Sequence, residues 1–141
     1  MPHADIAALI PHQGGMCLLE DIVEWDDSRI VLTTMTHRSP DNPLRSDGRL
    51  RAVHLCEYGA QAMAVHGALK SAPEPAPPGM LVALRSVTFA RDYIEDLDGP
   101  LRIAAVCLQA TESSQQYSFE ITHGGDTIAT GRAAVVLTLP S

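Results

Sequence analysis

The sequence predicts an α+β domain in which an antiparallel sheet wraps around one long buried central helix. The stretch Leu50 to Leu69 contains no proline and is rich in Ala, Leu and Met, which favour helices. Its apolar side chains fall on every side of a helical spiral, a pattern typical of a buried helix. Most of the remaining chain reads as strands separated by short turns, which indicates antiparallel pairing.

The segment before the central helix predicts a short helix followed by two strands. Ala4 to Ile10 has an amphipathic pattern and ends at a proline. Cys17 to Trp25 and Arg29 to Thr36 read as strands joined by a tight polar turn. His37 to Gly48 is predicted to be a loop, and Ser46 or Asp47 at its end is predicted to cap the central helix.

The segment after the central helix predicts four more strands. A proline-rich connection, SAPEPAPPG, follows Leu69 and must be extended. The predicted strands are Met80 to Tyr93, Leu101 to Leu108, Gln116 to Thr122 and Thr127 to Leu139. The chain shows no repeats, so residues 1–141 are predicted to form a single domain.

Composition excludes several classes of protein. A net charge of −7 argues against a general nucleic-acid binder, which needs a basic surface. The central helix is interrupted by His, Glu and Gln, so no membrane span is predicted. Three cysteines without CxxC spacing and the lack of a recognisable secretory signal suggest a cytoplasmic protein.

The exceptions to the apolar pattern of the central helix form one stripe. At about 100° per residue, four polar side chains fall within a sector of roughly 100°. They are His54, Glu57, Tyr58 and Gln61. An unpaired carboxylate inside an apolar helix is costly, so Glu57 is either paired structurally or functional.

Three stretches carry a resemblance to a known family. They are Leu9-Ile10-Pro11-His12 with Leu18-Leu19-Glu20-Asp21 behind it, His37-Arg38-Ser39-Pro40-Asp41-Asn42-Pro43, and Glu57-Tyr58-Gly59-Ala60-Gln61. Together they resemble the hot-dog-fold 3-hydroxyacyl-(acyl carrier protein) dehydratases, and most of all the divergent dehydratase-like proteins of aryl-polyene pathways. The family histidine precedes the glutamate by about 14 positions, where this chain has Pro43, whereas His37 lies 20 positions before Glu57.

The resemblance implies elimination of water from a 3-hydroxyacyl thioester, with no cofactor or metal. Such a reaction needs a base for the C2 proton and an acid for the departing hydroxyl. Glu57 is the implied acid, and either His37 or His12 is the implied base. The implied substrate-binding residues are His54, Gln61, Ala52, Asn42 and Pro43, with Gln61 also orienting Glu57. His66 points away from Glu57 and is predicted to be a core or interface histidine.

A local concentration of arginine suggests a partner. Arg38, Arg45, Arg49 and Arg51 are four of the ten basic residues and lie close together in the sequence. Acyl carrier proteins are acidic, so Arg45, Arg49 and Arg51 are predicted to dock the carrier, although a solvated loop explains them equally well. The implied substrate is an acyl carrier protein or CoA thioester.

Two further functions and several assemblies remain open. The fold also hosts acyl thioesterases, and a missing histidine would allow a non-catalytic subunit that pairs with an active hot-dog dehydratase. The expected assembly is a homodimer or higher homo-oligomer, or a hetero-oligomer with another hot-dog subunit. In a dimer, the His37 to Pro43 loop is predicted to reach the neighbour's Glu57.

Overall fold

The computed structural model describes Ile6, Leu9, residues 17–71 and residues 79–137, and for residues 79–82 it describes the backbone only. Of the predicted first helix, Ile6 and Leu9 fall within these residues, and both are helical. The predicted base His12 lies outside the described residues. No described helix has the length and apolar character needed to span a membrane.

Six antiparallel strands form one sheet, as the sequence predicts. They are β1 (Asp21–Trp25), β2 (Arg29–Thr34), β3 (Gly79–Phe89), β4 (Leu101–Ala110), β5 (Ser114–His123) and β6 (Asp126–Leu137). Their order across the sheet is β1-β2-β4-β5-β6-β3. The strand that follows the central helix therefore crosses to the far edge and pairs with the last strand of the sheet.

The central helix runs from Leu55 to Ser71 and is preceded by a 3₁₀ turn, Ala52–His54. The predicted cap by Ser46 or Asp47 is wrong, because the residue before the 3₁₀ turn is Arg51 and no side chain caps it. Ser46 instead exchanges backbone hydrogen bonds with Arg49 at 2.8 and 2.9 Å. Asp47 and Gly48 between them have φ of 52° and 74°, as a tight two-residue hairpin turn requires.

One face of the central helix packs against β2, β4 and β5, and the opposite face is only partly covered. Leu55, Tyr58, Ala62 and Val65 are fully buried. Cys56, Glu57, Ala60 and Ala64 are half-buried. The predicted burial is therefore confirmed on the side of the helix that faces the sheet. The opposite side is only partly covered within one chain.

Phe119 of β5 lies between the central helix and the sheet, against glycines of both. A Cβ on Gly59 of the helix would lie 3.0 Å from the Phe119 ring, and a Cβ on Gly131 of β6 would lie 2.7 Å from it. Gly131 pairs directly with Phe119 across the β5–β6 ladder. The aromatic ring thus takes the space that two side chains would otherwise fill.

His66 is a satisfied core histidine, as the sequence predicts. It is fully buried, with Nε2 2.7 Å from the Asp26 carbonyl and Nδ1 2.7 Å from the Tyr117 hydroxyl. Because a carbonyl can only accept, Nε2 carries the proton and Nδ1 accepts from the tyrosine. Burial lowers the pKa of His66, in keeping with a neutral ring.

Candidate functional site

Glu57 lies on the half-buried face of the central helix, one turn before the fully buried Gln61. The Gln61 amide nitrogen donates to Glu57 Oε1 at 3.4 Å, and its amide oxygen accepts from the Leu18 backbone N–H at 2.9 Å. Because the Leu18 N–H can only donate, it fixes which end of the Gln61 amide faces the carboxylate. Gln61 is therefore placed where it can orient Glu57.

Tyr58, the next residue on the helix, holds the loop that precedes it. Its hydroxyl lies 3.0 Å from Thr36 Oγ1 and 3.1 Å from the Asn42 amide nitrogen. Tyr58 is fully buried, and this burial raises the pKa of its phenol. The phenol thus remains protonated and ties the 36–42 segment to the helix beside Glu57.

His37 occupies a short 3₁₀ helix, Thr36–Arg38, and is fully buried, so an exposed position in a loop is excluded. Its Nε2 lies 2.8 Å from the Leu97 carbonyl oxygen, which requires the proton on Nε2. Nδ1 then carries a lone pair, and it is buried with no hydrogen-bond partner among the residues that the structure describes. Burial lowers the pKa of His37, which favours the neutral ring.

Two adjoining depressions lie at the N-terminal end of the central helix and share Arg51 and Tyr93. The larger, of about 530 Å³, is lined by Arg51, Ala52, Val53, Phe89, Arg91, Asp92 and Tyr93. The smaller, of about 120 Å³, is lined by Leu44, Ser46, Asp47, Arg49, Arg51, His54 and Tyr93. Four predicted site residues, Arg49, Arg51, Ala52 and His54, therefore meet at this end of the helix, whereas Glu57 lines neither depression.

The predicted docking arginines differ in their contacts. The Arg49 guanidinium lies 3.8 Å from the centre of the Tyr93 ring and pairs with Glu95 at 3.0 Å. Arg51 is exposed and lies 5.7 Å from the same ring centre. Arg45 instead donates to the backbone oxygens of His37 and Gly48, so it stabilises its own loop.

Asn42 and Pro43, predicted to bind substrate, also differ. The Asn42 amide nitrogen donates to Tyr58 and to the Thr36 carbonyl, and its amide oxygen accepts from the Leu44 N–H. These bonds lie within the chain and hold the loop together. Pro43 is exposed next to it.

Sequence reasoning missed several residues of this region. The larger depression is also lined by Phe89, Arg91 and Tyr93. The sequence places these residues in a strand up to Tyr93, whereas that strand ends at Phe89. Glu95 accepts from the Leu50 N–H at 2.8 Å as well as from Arg49. Neither contact has a signal in the sequence, because each joins residues more than 30 positions apart. Among the described residues, no group of three His, Cys, Asp or Glu side chains is placed to hold a metal ion.

The chain is similar to solved structures over nearly its whole length. The dehydratase heterocomplex ApeI:P from Xenorhabdus doucetiae matches with 25% identity and a TM-score of 0.84, covering 99% of this chain and 92% of that one. AziG from S. sahachiroi matches with 19% identity and a TM-score of 0.67, covering 93% of this chain and 99% of that one. A hypothetical thioesterase with coenzyme A from Streptococcus pneumoniae TIGR4 matches with 17% identity and a TM-score of 0.63, covering 84% of each chain.

The last two structures support the fold alone, because their sequences are too distant to support a function. No protein of curated function matches the sequence. The sequence comparison that decides the family is a match of residues 4–138 to the model of the ApeP-like family, described as ApeP dehydratase. With one helix packed on a six-stranded antiparallel sheet, this hot-dog-fold protein belongs to the ApeP-like dehydratase family.

Proposed function

We propose that the protein removes water from a 3-hydroxyacyl thioester carried by acyl carrier protein or CoA and releases a trans-2-enoyl thioester. The base takes the C2 proton, and the electrons of that C–H bond form the C2–C3 double bond. The C3–O bond breaks, and the acid protonates the departing hydroxide to give water. Proton exchange with solvent then restores both groups.

The buried, unpartnered Nδ1 of His37 is the observation that carries this proposal. Buried polar atoms are nearly always hydrogen-bonded, so an acceptor left without a partner requires an explanation. The Leu97 carbonyl fixes the tautomer in which Nδ1 can accept a proton, and burial keeps the ring neutral. His37 is therefore the proposed base, and the 36–38 turn must shift to admit the substrate, because the ring is fully covered in one chain.

Glu57 is the proposed acid. It is the one carboxylate on the central helix, and Gln61 contacts it from the next turn. It lies on the half-covered side of the helix, where a second subunit can pack and where a thioester can reach it. Because His37 is held by Leu97 and Glu57 by Gln61, each on its own element, a site shared between two subunits is part of the proposal.

The carrier is proposed to dock at the N-terminal end of the central helix. Arg49 and Arg51 face the two depressions there, close to His54 and Ala52, whereas the Arg45 guanidinium is held by backbone oxygens. Arg51→Glu should raise KM for a carrier-bound substrate severalfold and leave KM for a short pantetheine thioester unchanged. Equal effects on both substrates would contradict docking at this end.

The partner subunit is proposed to be a second hot-dog protein. The ApeI:P structure, which this chain resembles at 25% identity, is itself a heterocomplex. The enoyl product should therefore be assayed with the chain alone and with a candidate partner added. Release of free thiol without enoyl product would indicate a thioesterase. If turnover occurs only when the partner is added and is unaffected by the Glu57 and histidine variants, the chain is a non-catalytic subunit.

The base is tested by comparing three variants at equal folded fraction. His37→Gln places an amide N–H near the position of Nε2, where it can donate to the Leu97 carbonyl, and removes the basic lone pair, so enoyl formation should fall by about two orders of magnitude or more. His123→Ala is the control, because His123 holds the neighbouring Asp98 carbonyl. If His12→Ala abolishes turnover and His37→Gln does not, His12 is the base.

A further inference from the structure

Two runs of hydrogen bonds lie between the 36–44 loop and Glu57, they meet at the main chain of Leu18, and their donors can be assigned. The first run starts at Asn42, whose Oδ1 accepts from the Leu44 N–H at 2.9 Å. An N–H can only donate, so the Asn42 amide nitrogen must face the other way. It donates to the Thr36 carbonyl at 3.0 Å and to the Tyr58 hydroxyl at 3.1 Å.

The next two donors follow from the same reasoning. Thr36 Oγ1 lies 2.7 Å from the Leu18 carbonyl oxygen, which accepts only, so the threonine proton points at Leu18. The Thr34 hydroxyl, 3.1 Å from Thr36 Oγ1, donates to the same carbonyl at 2.6 Å. The Tyr58 hydroxyl already accepts from Asn42, and its other hydrogen-bond neighbour among the described residues is Thr36 Oγ1 at 3.0 Å. Tyr58 must therefore donate to Thr36, since the reverse assignment would leave the phenol proton without an acceptor.

Leu18 joins these bonds to the helix through its main chain. Its carbonyl accepts from Thr36 at 2.7 Å and from Thr34 at 2.6 Å. Its N–H, which belongs to the preceding peptide group, donates to Gln61 Oε1 at 2.9 Å, and Gln61 Nε2 donates to Glu57 Oε1 at 3.4 Å. The two runs of hydrogen bonds therefore meet at Leu18, and the second ends on Glu57, the helix residue next to Tyr58.

We propose that Tyr58 is a positioning residue for Glu57, acting through Thr36, the Leu18 main chain and Gln61, an inference that rests on the proposed role of Glu57. The loss of the Tyr58 hydroxyl loosens Thr36 and lets the Leu18 main chain shift, which moves the N–H that holds Gln61 and so displaces Gln61 from Glu57. Tyr58, Leu18 and Gln61 are fully buried and Asn42 is 6% exposed, so water does not readily replace a missing member. Tyr58 thereby links the loop that carries His37 to the carboxylate.

A second buried phenol provides a matched control. Tyr117 is also fully buried, and its hydroxyl contacts His66 instead of the hydrogen bonds that lead to Glu57. Tyr58→Phe and Tyr117→Phe each remove one buried phenol oxygen with almost no change in volume. A general loss of stability affects both variants, whereas a positioning role affects Tyr58→Phe alone.

Kinetics distinguish positioning from a structural role. Tyr58→Phe should lower kcat about tenfold and leave KM nearly unchanged. A tenfold loss is about the effect of removing one hydrogen bond that matters in the transition state. Thr36→Val should do the same, Thr36→Ser should retain activity, and Tyr117→Phe should leave kcat within about twofold of the parent. In a Glu57→Gln background, Tyr58→Phe should have no further effect. An equal loss in both backgrounds, or an equal loss in Tyr117→Phe, would overturn the inference.

A readout without turnover separates this inference from the proposed function. The side-chain amide protons of Gln61, assigned by their absence in Gln61→Leu, should shift in the NMR spectrum of Tyr58→Phe and of Thr36→Val. They should not shift in Tyr117→Phe. If the shifts occur but no substrate is turned over, the hydrogen-bonded connection from Tyr58 to Glu57 exists and the proposed function fails. Unchanged Gln61 resonances in both variants would refute this connection, whatever the activity.

Discussion

At the scale of single residues, the chemistry is concentrated in groups whose hydrogen bonds fix their orientation. Gln61 presents its amide nitrogen to Glu57 because the Leu18 N–H occupies its oxygen, and His37 presents Nδ1 because Leu97 occupies Nε2. In both cases a backbone group far away in sequence decides what the side chain can do. Side-chain identity alone does not reveal this.

The role of Glu57 predicts a loss of turnover without a loss of folding. Glu57→Gln removes the proton donor and keeps an oxygen that can accept from Gln61, so the local contact survives. Enoyl formation should fall by about two orders of magnitude or more, while the midpoint of thermal unfolding stays close to that of the parent. Steady-state assay and calorimetry of the same preparation check both statements. Full turnover in this variant would remove Glu57 from the mechanism.

At the scale of elements, the sequence predicted all six strands and the central helix, but several of their ends are wrong. Periodicity and helix propensity are local properties, so they survive in the fold. The N-terminal end of the helix was misplaced because Asp47–Gly48 forms a tight turn that precludes the expected cap. The predicted β3 continued to Tyr93, whereas residues beyond Phe89 turn towards the helix, where Tyr93 pairs with Arg51.

The candidate site shows the same division between local and distant contacts. The pairing of Glu57 with Gln61 follows from their spacing of one helical turn. The contacts of Tyr58 with Thr36 and of His37 with Leu97 join residues 22 and 60 positions apart. Such contacts depend on the sheet order, which no local pattern encodes.

The packing of the central helix on the sheet predicts a ranking of glycine variants. Gly131→Ala places a methyl group 2.7 Å from Phe119 and 3.1 Å from Val87, so the free energy of unfolding should fall by about 1–3 kcal/mol. Gly59→Ala meets the same ring at 3.0 Å and should cost less. Gly67→Ala is the control, because its added methyl group has open space and alanine favours the helix by up to about 1 kcal/mol. Urea denaturation gives the three values, and a Gly131→Ala variant as stable as Gly67→Ala would refute this packing.

At the scale of the whole molecule, two buried neutral histidines predict that stability falls in weak acid. Burial lowers the folded-state pKa of His37 and His66 below the ordinary value of 6.5. The unfolded chain therefore binds protons first, and the free energy of unfolding should decrease as the pH falls below about 6.5 towards the folded-state pKa values. Above that range these two groups add no pH dependence.

Unfolding midpoints in urea between pH 5 and pH 8 test this prediction. His66→Gln should give a shallower dependence, because one of the two groups no longer titrates. His54→Gln is the control, since His54 is only half-buried at the N-terminal end of the helix. A parent protein whose stability rises as the pH falls through this range would contradict the assignment of neutral rings.

The open edge of the sheet predicts assembly. β3 has eleven residues and pairs with β6 on one side only, and long unpaired edges favour association with another sheet. If the site is shared between subunits of this chain, mixing inactive His37→Gln with inactive Glu57→Gln should restore part of the activity through hybrid dimers. Sedimentation should show an oligomer for the active species. An active monomer would exclude the shared site.

The strand order also has a consequence for the chain as it is synthesised. Three strands that complete the sheet are translated after the helix. They are β4 and β5, which pack on the helix, and β6, which pairs with β3. Until they emerge, the apolar side chains of Leu55, Ala62 and Val65 have only the β1–β2 hairpin to pack against. At roughly 5–20 residues per second, this interval lasts several seconds. The nascent chain therefore exposes much of this apolar helix until the C-terminal strands arrive, a period in which ribosome-bound chaperones should be needed most.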